Sequence, residues 1–251
     1  MKKRLLSLFL LLIFLCACQS TPENPAPSSA PTPPSAAAAT DPPPTVVVTA
    51  PAITTDPAPT EPVYVDAQAL EDFLLPLEEY STERQFDPEF VVIHFTSAVV
   101  NHRDDPYNID LIRDIFVDYN LSIHYIIERD GTVRCYVPED RVAKHASKGS
   151  WNDDPKYDNT MNEYAIGIEL VAMGSESDMS IYMSAKEYHA LDPTLMGFTE
   201  EQYASLKTLV TGICSRHAIP MDRQHIIGHD EYTAHKTDPG ELFDWSRIIP
   251  E

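Results

Sequence analysis

The chain has 251 residues, 43% of them apolar, and a formal net charge of −21. That length and apolar fraction suit one sizeable folded domain with extensions. The acidic excess excludes a protein that tracks nucleic acid by bulk electrostatics, because phosphate binding needs clustered Lys and Arg.

Lys2-Lys3-Arg4 precedes an apolar run from Leu5 to Leu15 that is too short to span a bilayer comfortably, so residues 1–18 read as an export signal. The run ends in Leu15-Cys16-Ala17-Cys18, which resembles the processing box of bacterial lipoproteins and makes Cys18 the candidate lipidated residue. The expectation is an extracytoplasmic body held to a membrane of the cell envelope by that lipid. Residues 19–62 follow as a tether. From Ser20 to Pro62 there is no Gly, Lys or Arg, and the stretch holds 13 of the chain's 22 prolines. Such a segment lacks the apolar surface to offset its conformational entropy and favours a semi-rigid polyproline II spacer. Residues 63–251 make the body.

A helix is expected over about Ala67–Leu75, limited by Pro76. Phe90-Val91-Val92-Ile93-His94-Phe95 is a continuous apolar run and reads as a buried central strand. Ile109, Ile112, Ile115 and Phe116 repeat at helical spacing, with Asn120 as the stop. Leu121–Glu128 and Thr132–Val137 read as strands joined by a hairpin turn at Arg129-Asp130-Gly131. Tyr164–Val171 is another apolar strand, and the segment from there to Met196 carries no interpretable pattern. Thr199 and Gln202 form a capping box for a helix reaching about His217, with Tyr203, Leu206, Leu209, Val210 and Ile213 as its buried stripe. His225-Ile226-Ile227 is a last short strand. Strands and helices alternate imperfectly, so the expected fold class is α/β, a central mixed β-sheet flanked by helices.

The loop Gly228–Gly240 carries His229, Lys236 and Asp238 between Gly and Pro boundaries, where functional groups converge on a rigid scaffold. His94 interrupts an apolar strand. Alone it reads as a hydrogen-bonded core histidine. Together with His229 and Asp238 it completes two imidazoles and a carboxylate, a set that suits a divalent metal with a fourth position open to water. Cys135 and Cys214 lie on a strand and a helix, and their spacing leaves open whether they pair or pack as small hydrophobes.

Several ordered pieces of the body resemble the zinc-dependent N-acetylmuramoyl-L-alanine amidases, the family that includes phage T7 lysozyme, the AmpD-like amidases and the peptidoglycan recognition proteins. They are Val92-Ile93-His94-Phe95-Thr96, Ile123-His124-Tyr125-Ile126-Ile127, Ala143-Lys144-His145-Ala146, Asn162 with Ile166-Gly167-Ile168-Glu169-Leu170, Gly228-His229-Asp230-Glu231 and Lys236-Thr237-Asp238-Pro239-Gly240. The resemblance covers about Phe90–Trp245. It implies that fold and hydrolysis of the amide between N-acetylmuramic acid and L-alanine. It implies Zn2+ held by His94, His229 and Asp238, and Glu169 and Lys236 as catalytic groups. It matches Tyr125 to a tyrosine near the metal, which either assists the carbonyl or packs. His145, Asn162 and Thr96 are the implied contacts to peptidoglycan or muropeptides. Lys144 and Ser147 stand where the family's Ala-Trp-His-Ala-Gly stretch has Trp and Gly. His124, on the opposite strand face from Tyr125, reads as structural or surface, and His235 as the substitute ligand were Asp238 misplaced. The other class of function open to this fold is a peptidoglycan-binding module without catalysis. A zinc peptidase of another kind is disfavoured by the lack of a His-Glu-x-x-His helix. The sequence is silent on oligomeric state.

Overall fold

The computed structural model describes residues 75–249. The export signal over 1–18, Cys18, the tether over 19–62 and nearly all of the helix expected over 67–75 lie outside the described residues. Among the described residues no helix is long and apolar enough to cross a membrane.

The strands in chain order are β1 (Ser81–Glu83), β2 (Phe90–Thr96), β3 (Tyr125–Ile127), β4 (Val133–Cys135), β5 (Arg141–Ala143), β6 (Ala165–Val171) and β7 (Ile226–Gly228). Five of them form one sheet in the order β4-β3-β6-β2-β7, parallel except for the β3–β4 hairpin, and β1 pairs antiparallel with β5 in a separate two-stranded sheet. The fold is therefore the expected α/β class with a central mixed sheet flanked by helices. β2 lies between two parallel neighbours and is covered on both faces, which is why its sequence runs apolar without alternation.

The pleat sends Val91, Ile93, Ile127, Ile166, Ile168 and Ile226 to one face, where the helix Glu200–His217 lays Tyr203, Leu206, Val210 and Ile213 against them. Each of these buried side chains contributes roughly 1.5–3 kcal/mol relative to exposure. The helix starts on the Thr199–Gln202 capping box and stops at Ala218, whose backbone is left-handed with φ 55°. Gln202 also donates from Nε2 to the carbonyls of Ile127 (3.1 Å) and Val171 (3.0 Å), pinning the helix start to two strand ends. On the other face the helix Ile109–Asp118 packs Ile112 and Phe116 against Ile126 and Tyr136. Asn108 caps it, accepting from the amides of Asp110 and Leu111 at 3.1 Å.

The strands expected over 121–128 and 132–137 shrink to three residues each. Ser122 explains the loss on one side, because its backbone N–H donates to the Lys144 carbonyl and its hydroxyl to the Tyr80 carbonyl, committing this stretch outside the ladder. The segment after Val171 is ordered rather than patternless. It holds the single-turn helices Glu176–Met179 and Ala185–Tyr188, each closed by a capping box, Ser175 with Asp178 and Ser184 with Glu187. Cys135 and Cys214 are both free, buried thiols, and burial pushes them up to about 12 and about 11.

Candidate functional site

The site gathers at the carboxyl ends of the parallel strands, where loops from neighbouring strands converge. His94 is the fifth residue of β2, and Gly228, paired in the ladder with Ile93, delivers His229 immediately after β7. Asp238 returns on the following loop, which is closed by a hydrogen bond from the Asp230 amide to the Asp238 carbonyl at 2.9 Å. The three side chains are 2%, 2% and 5% exposed, so their polar atoms must find partners in each other. His94 Nδ1 lies 3.0 Å from His229 Nδ1 and 2.9 Å from Asp238 Oδ2, and His229 Nδ1 lies 3.0 Å from that same oxygen.

This near-equilateral triangle tests whether the residues fit a metal. A tetrahedral ion with bonds of about 2.0–2.1 Å holds its ligand atoms about 3.3 Å apart, close to the edges seen. Burial and the neighbouring His229 lower the His94 pKa to about 4, so its ring is neutral and offers a lone pair. Burial alone would raise Asp238, but its polar contacts with the His229 and His94 rings outweigh it and lower its pKa. Two imidazole nitrogens and an anionic oxygen facing one point suit a divalent cation.

Glu169 stands directly across the ladder from His94, because β2 and β6 pair in that register. Its Oε2 is buried with no hydrogen-bond partner. Burial and the Asp238 charge raise its pKa well above the carboxylate range, with Lys236 opposing. Glu169, Lys236, His94, His229 and Asp238 line one cavity of about 410 Å³, together with Thr96, His145 and Tyr182.

His145 belongs to this cluster, and the polar contact of its ring is His94. His145 Nδ1 lies 3.0 Å from His94 Nε2. Were His94 Nδ1 to give its lone pair to a metal, its proton would sit on Nε2 and be donated to His145, the kind of outer contact that fixes a ligand's tautomer and orientation. Gly167 makes room for the ring, since a Cβ there would lie 2.7 Å from His145 Cγ. Asn162 does not reach the cavity. Its Oδ1 accepts from the amides of His145 (3.0 Å) and Ala146 (2.8 Å), so it shapes the loop that carries His145.

Tyr125 requires a correction. It faces the Glu200–His217 helix, on the side of the sheet away from His94, and its hydroxyl donates to Glu139 Oε1 at 2.8 Å. Burial and the Glu139 charge raise the phenol's pKa further. His124 takes the structural of the two roles that the sequence left open for it. It is fully buried on the cavity side of the sheet, its ring 5.7 Å from that of His145, with Nδ1 accepting from the Gly167 amide and Nε2 on the Arg141 carbonyl. Burial and Arg84 lower it to about 3, so it is a neutral spacer behind His145. His235 is exposed and takes no part.

Two residues of the site were missed in the sequence. Tyr182 lines the cavity with 41% of its surface exposed, and partial burial with the charges of Asp238 and Glu169 pushes its phenol up to about 12. Asp178 is 8% exposed and clamps the ligand loop: its carbonyl accepts from Thr237 Oγ1 at 2.9 Å, and its Oδ2 accepts from the Ser175 amide at 2.9 Å and the Glu241 amide at 3.3 Å. The approach is close enough that a Cβ on Gly240, where φ is 74°, would lie 2.4 Å from that oxygen. The Ser-x-x-Asp capping pattern was the signal available for Asp178. Nothing in the sequence marks Tyr182.

Residues 84–241 match the family described as N-acetylmuramoyl-L-alanine amidase. Among curated proteins, the chain is 27% identical over 175 residues to the 1,6-anhydro-N-acetylmuramyl-L-alanine amidase AmpD of Citrobacter freundii, across 64% of this chain and 79% of that one. It is 30% identical over 130 residues to the protein of that name from Haemophilus influenzae and 32% over 129 residues to that from Enterobacter cloacae. Each match takes 51% of this chain, and the chain spans only 57% and 55% of the length of those two relatives. Among solved structures it is similar to a selenomethionine derivative of AmpD, with TM-score 0.48 and 24% identity over 67% of this chain and 88% of that one. It is also similar to AmpDh3 from Pseudomonas aeruginosa, with TM-score 0.49 and 21% identity over 69% and 64%.

Proposed function

Because the chain belongs to the N-acetylmuramoyl-L-alanine amidase family, we propose that it hydrolyses the amide joining the lactyl group of N-acetylmuramic acid to the L-alanine of the peptide stem in peptidoglycan or muropeptides. The observation that carries this reading is the convergence of His94 Nδ1, His229 Nδ1 and Asp238 Oδ2 on one point of a cavity that also holds Glu169 and Lys236. The three ligands would hold Zn2+, which when bound supplies a Lewis acid for the carbonyl and acidifies water.

The protein's own groups do the rest. Glu169 accepts the proton of the attacking water at its unpartnered Oε2 and delivers it to the departing amine. Burial and the Asp238 charge raise its pKa, the direction that suits a carboxyl which must both take and give a proton. Lys236 offers a fixed positive charge to the carbonyl oxygen as that atom gains negative charge, where preorganised charge acts most strongly. Tyr182, in place of Tyr125, offers a protonated phenol at the same cavity. His145 holds His94 in its ligating tautomer. We extend the proposal to location: an exported enzyme tethered through residues 19–62 to a lipid on Cys18.

Mass spectrometry of sacculi and soluble muropeptides after incubation with the protein tests the reading. Free stem peptides are expected, lost with chelator and restored by zinc. Glu169→Ala is expected to abolish turnover with the metal content intact. Muropeptide binding without cleavage by the unmodified protein overturns the amidase reading in favour of a binding module.

A further inference from the structure

Lys144 lines the same cavity as His94 and Glu169, and its chain neighbour His145 touches His94. Its backbone is locked by reciprocal bonds with the fully buried Ser122: Lys144 N–H donates to Ser122 Oγ at 2.8 Å, and Ser122 N–H donates to the Lys144 carbonyl at 3.2 Å. Its side chain is fixed as well. Nζ donates to the Glu79 carbonyl at 2.9 Å and to Asn120 Oδ1 at 3.0 Å. Asn120 presents that oxygen from a left-handed backbone with φ 53°, immediately past the helix Ile109–Asp118.

Both partners are neutral. The ammonium has three donors, of which two are used, and among the described residues no carboxylate pairs with it. A lysine ordinarily loses much rotamer freedom on binding an anion. Here the ordering is already done by the fold: with Nζ on two neutral oxygens and 6.0 Å from the centre of the Tyr80 ring, one N–H and a charge matched by no carboxylate remain for a ligand. In a chain of net charge −21 such a cation on a cavity wall is a local reversal of the field.

We propose that Lys144 is a specificity residue that recognises a carboxylate on the peptide side of the scissile amide. This assignment rests on the amidase reading for the identity of its substrate. The chemistry of that substrate selects the ligand. The lactyl carboxyl is tied up in the amide until the bond is cut, so the muramoyl part of the intact substrate is uncharged, and the anionic groups belong to the stem. The carboxylate closest to the bond is the α-carboxyl of the second stem residue, a γ-linked glutamate, which occurs either free or as the amide. Lys144, on the wall of the cavity that holds His94 and Glu169, is assigned that near carboxylate. Tryptophan, which the resemblance leads one to expect at this position, would bring no charge.

The experiment uses two N-acetylmuramoyl tripeptides that differ only in whether that α-carboxyl is free or amidated. Dissociation constants are measured for the full chain carrying Glu169→Ala, and kcat/KM for the full chain with Glu169 intact, each with Lys144, Lys144→Met or Lys144→Arg. The chain with Lys144 is expected to prefer the free carboxylate by about tenfold, the worth of a charge-assisted hydrogen bond at a partly exposed site. Lys144→Met is expected to reduce that preference to within about twofold, and Lys144→Arg to retain most of it. Because the readout is a ratio between two ligands on one variant, a general loss of stability cancels. The assignment is overturned by equal affinity for the two tripeptides in the Lys144 chain, or by a preference that survives in Lys144→Met. If the preference is present but the unmodified chain cleaves neither tripeptide, the amidase reading fails while the Lys144 assignment stands. If neither tripeptide binds, both fail.

Discussion

Two tyrosine hydroxyls near the centre of this molecule sit in opposite settings. The Tyr125 phenol is spent on Glu139, which also accepts from Arg216 and His217 at the end of the long helix, so it serves as a tie between β3 and that helix. The Tyr182 phenol lies on the cavity wall within reach of the fields of Asp238 and Glu169. Tyr125→Phe keeps the ring and loses one hydrogen bond to a charged acceptor. It is expected to lower stability by about 1–2 kcal/mol with kcat/KM within about twofold of the parent. Tyr182→Phe is expected to do the reverse, with thermal unfolding little changed and kcat/KM down about fivefold or more. Denaturant melts and steady-state kinetics on the pair decide it, and a kinetic loss at 125 without one at 182 would return Tyr125 to the site. The buried cluster of His94, His229 and Asp238, which could hold a metal ion, was legible in the sequence because His94 is a polar residue in an apolar strand and His229 and Asp238 share a Gly/Pro-bounded loop. The choice between His124 and Tyr125 was not. Alternation says that neighbours point to opposite faces, but which face holds the site is fixed only by the β3–β6 register, in which Ile126 lies opposite Glu169 and Tyr125 opposite Ile168.

The element with the largest gap between sequence and structure is the segment between β6 and the helix Glu200–His217. Its helices are single turns, too short to show an apolar stripe, so periodicity had nothing to report. Their capping boxes were readable. Their contact with the loop 236–241, some sixty residues away, is a tertiary fact that local sequence does not carry. That contact gives the segment its purpose: Asp178 holds Thr237 and Glu241 on either side of Asp238, and Tyr182 and Met179 add to the cavity wall. Asp178→Ala removes the carboxylate that receives the part-exposed Ser175 and Glu241 amides, and losing hydrogen bonds to a charged acceptor costs about 1.5–3 kcal/mol. Because the loosened loop carries a ligand, zinc affinity is expected to fall along with stability, about tenfold by competition with a chromophoric chelator. Stability loss with undiminished zinc affinity would show that the segment covers the site without positioning it.

At the scale of the whole molecule the His94, His229 and Asp238 side chains bring together the end of β2, the residue after β7, and the loop that returns to Asp238. The strand order that brings them together follows from apolar runs that were visible in sequence, β2 above all, whereas the pairing of β2 with both β6 and β7 required the folded sheet. Two imidazole nitrogens and a carboxylate oxygen lie 2.9–3.0 Å apart in a buried place, and the nitrogen pair has a good contact only if one of the two carries a proton. A divalent ion satisfies all three at once, and the unfolded chain, with those residues scattered, does not offer the set. Folding and binding are therefore linked. At free zinc a thousandfold above its dissociation constant the folded state gains about 4 kcal/mol, which for a domain of this size corresponds to a rise in Tm of about 8–16 °C. Calorimetry of the protein in chelator and in buffered zinc is expected to show that rise, with the same titration nearly flat in His229→Ala. A Tm indifferent to zinc in the unmodified protein would mean that the triangle is a hydrogen-bonded cluster of the core, and the chemistry assigned to this cavity would lose its centre.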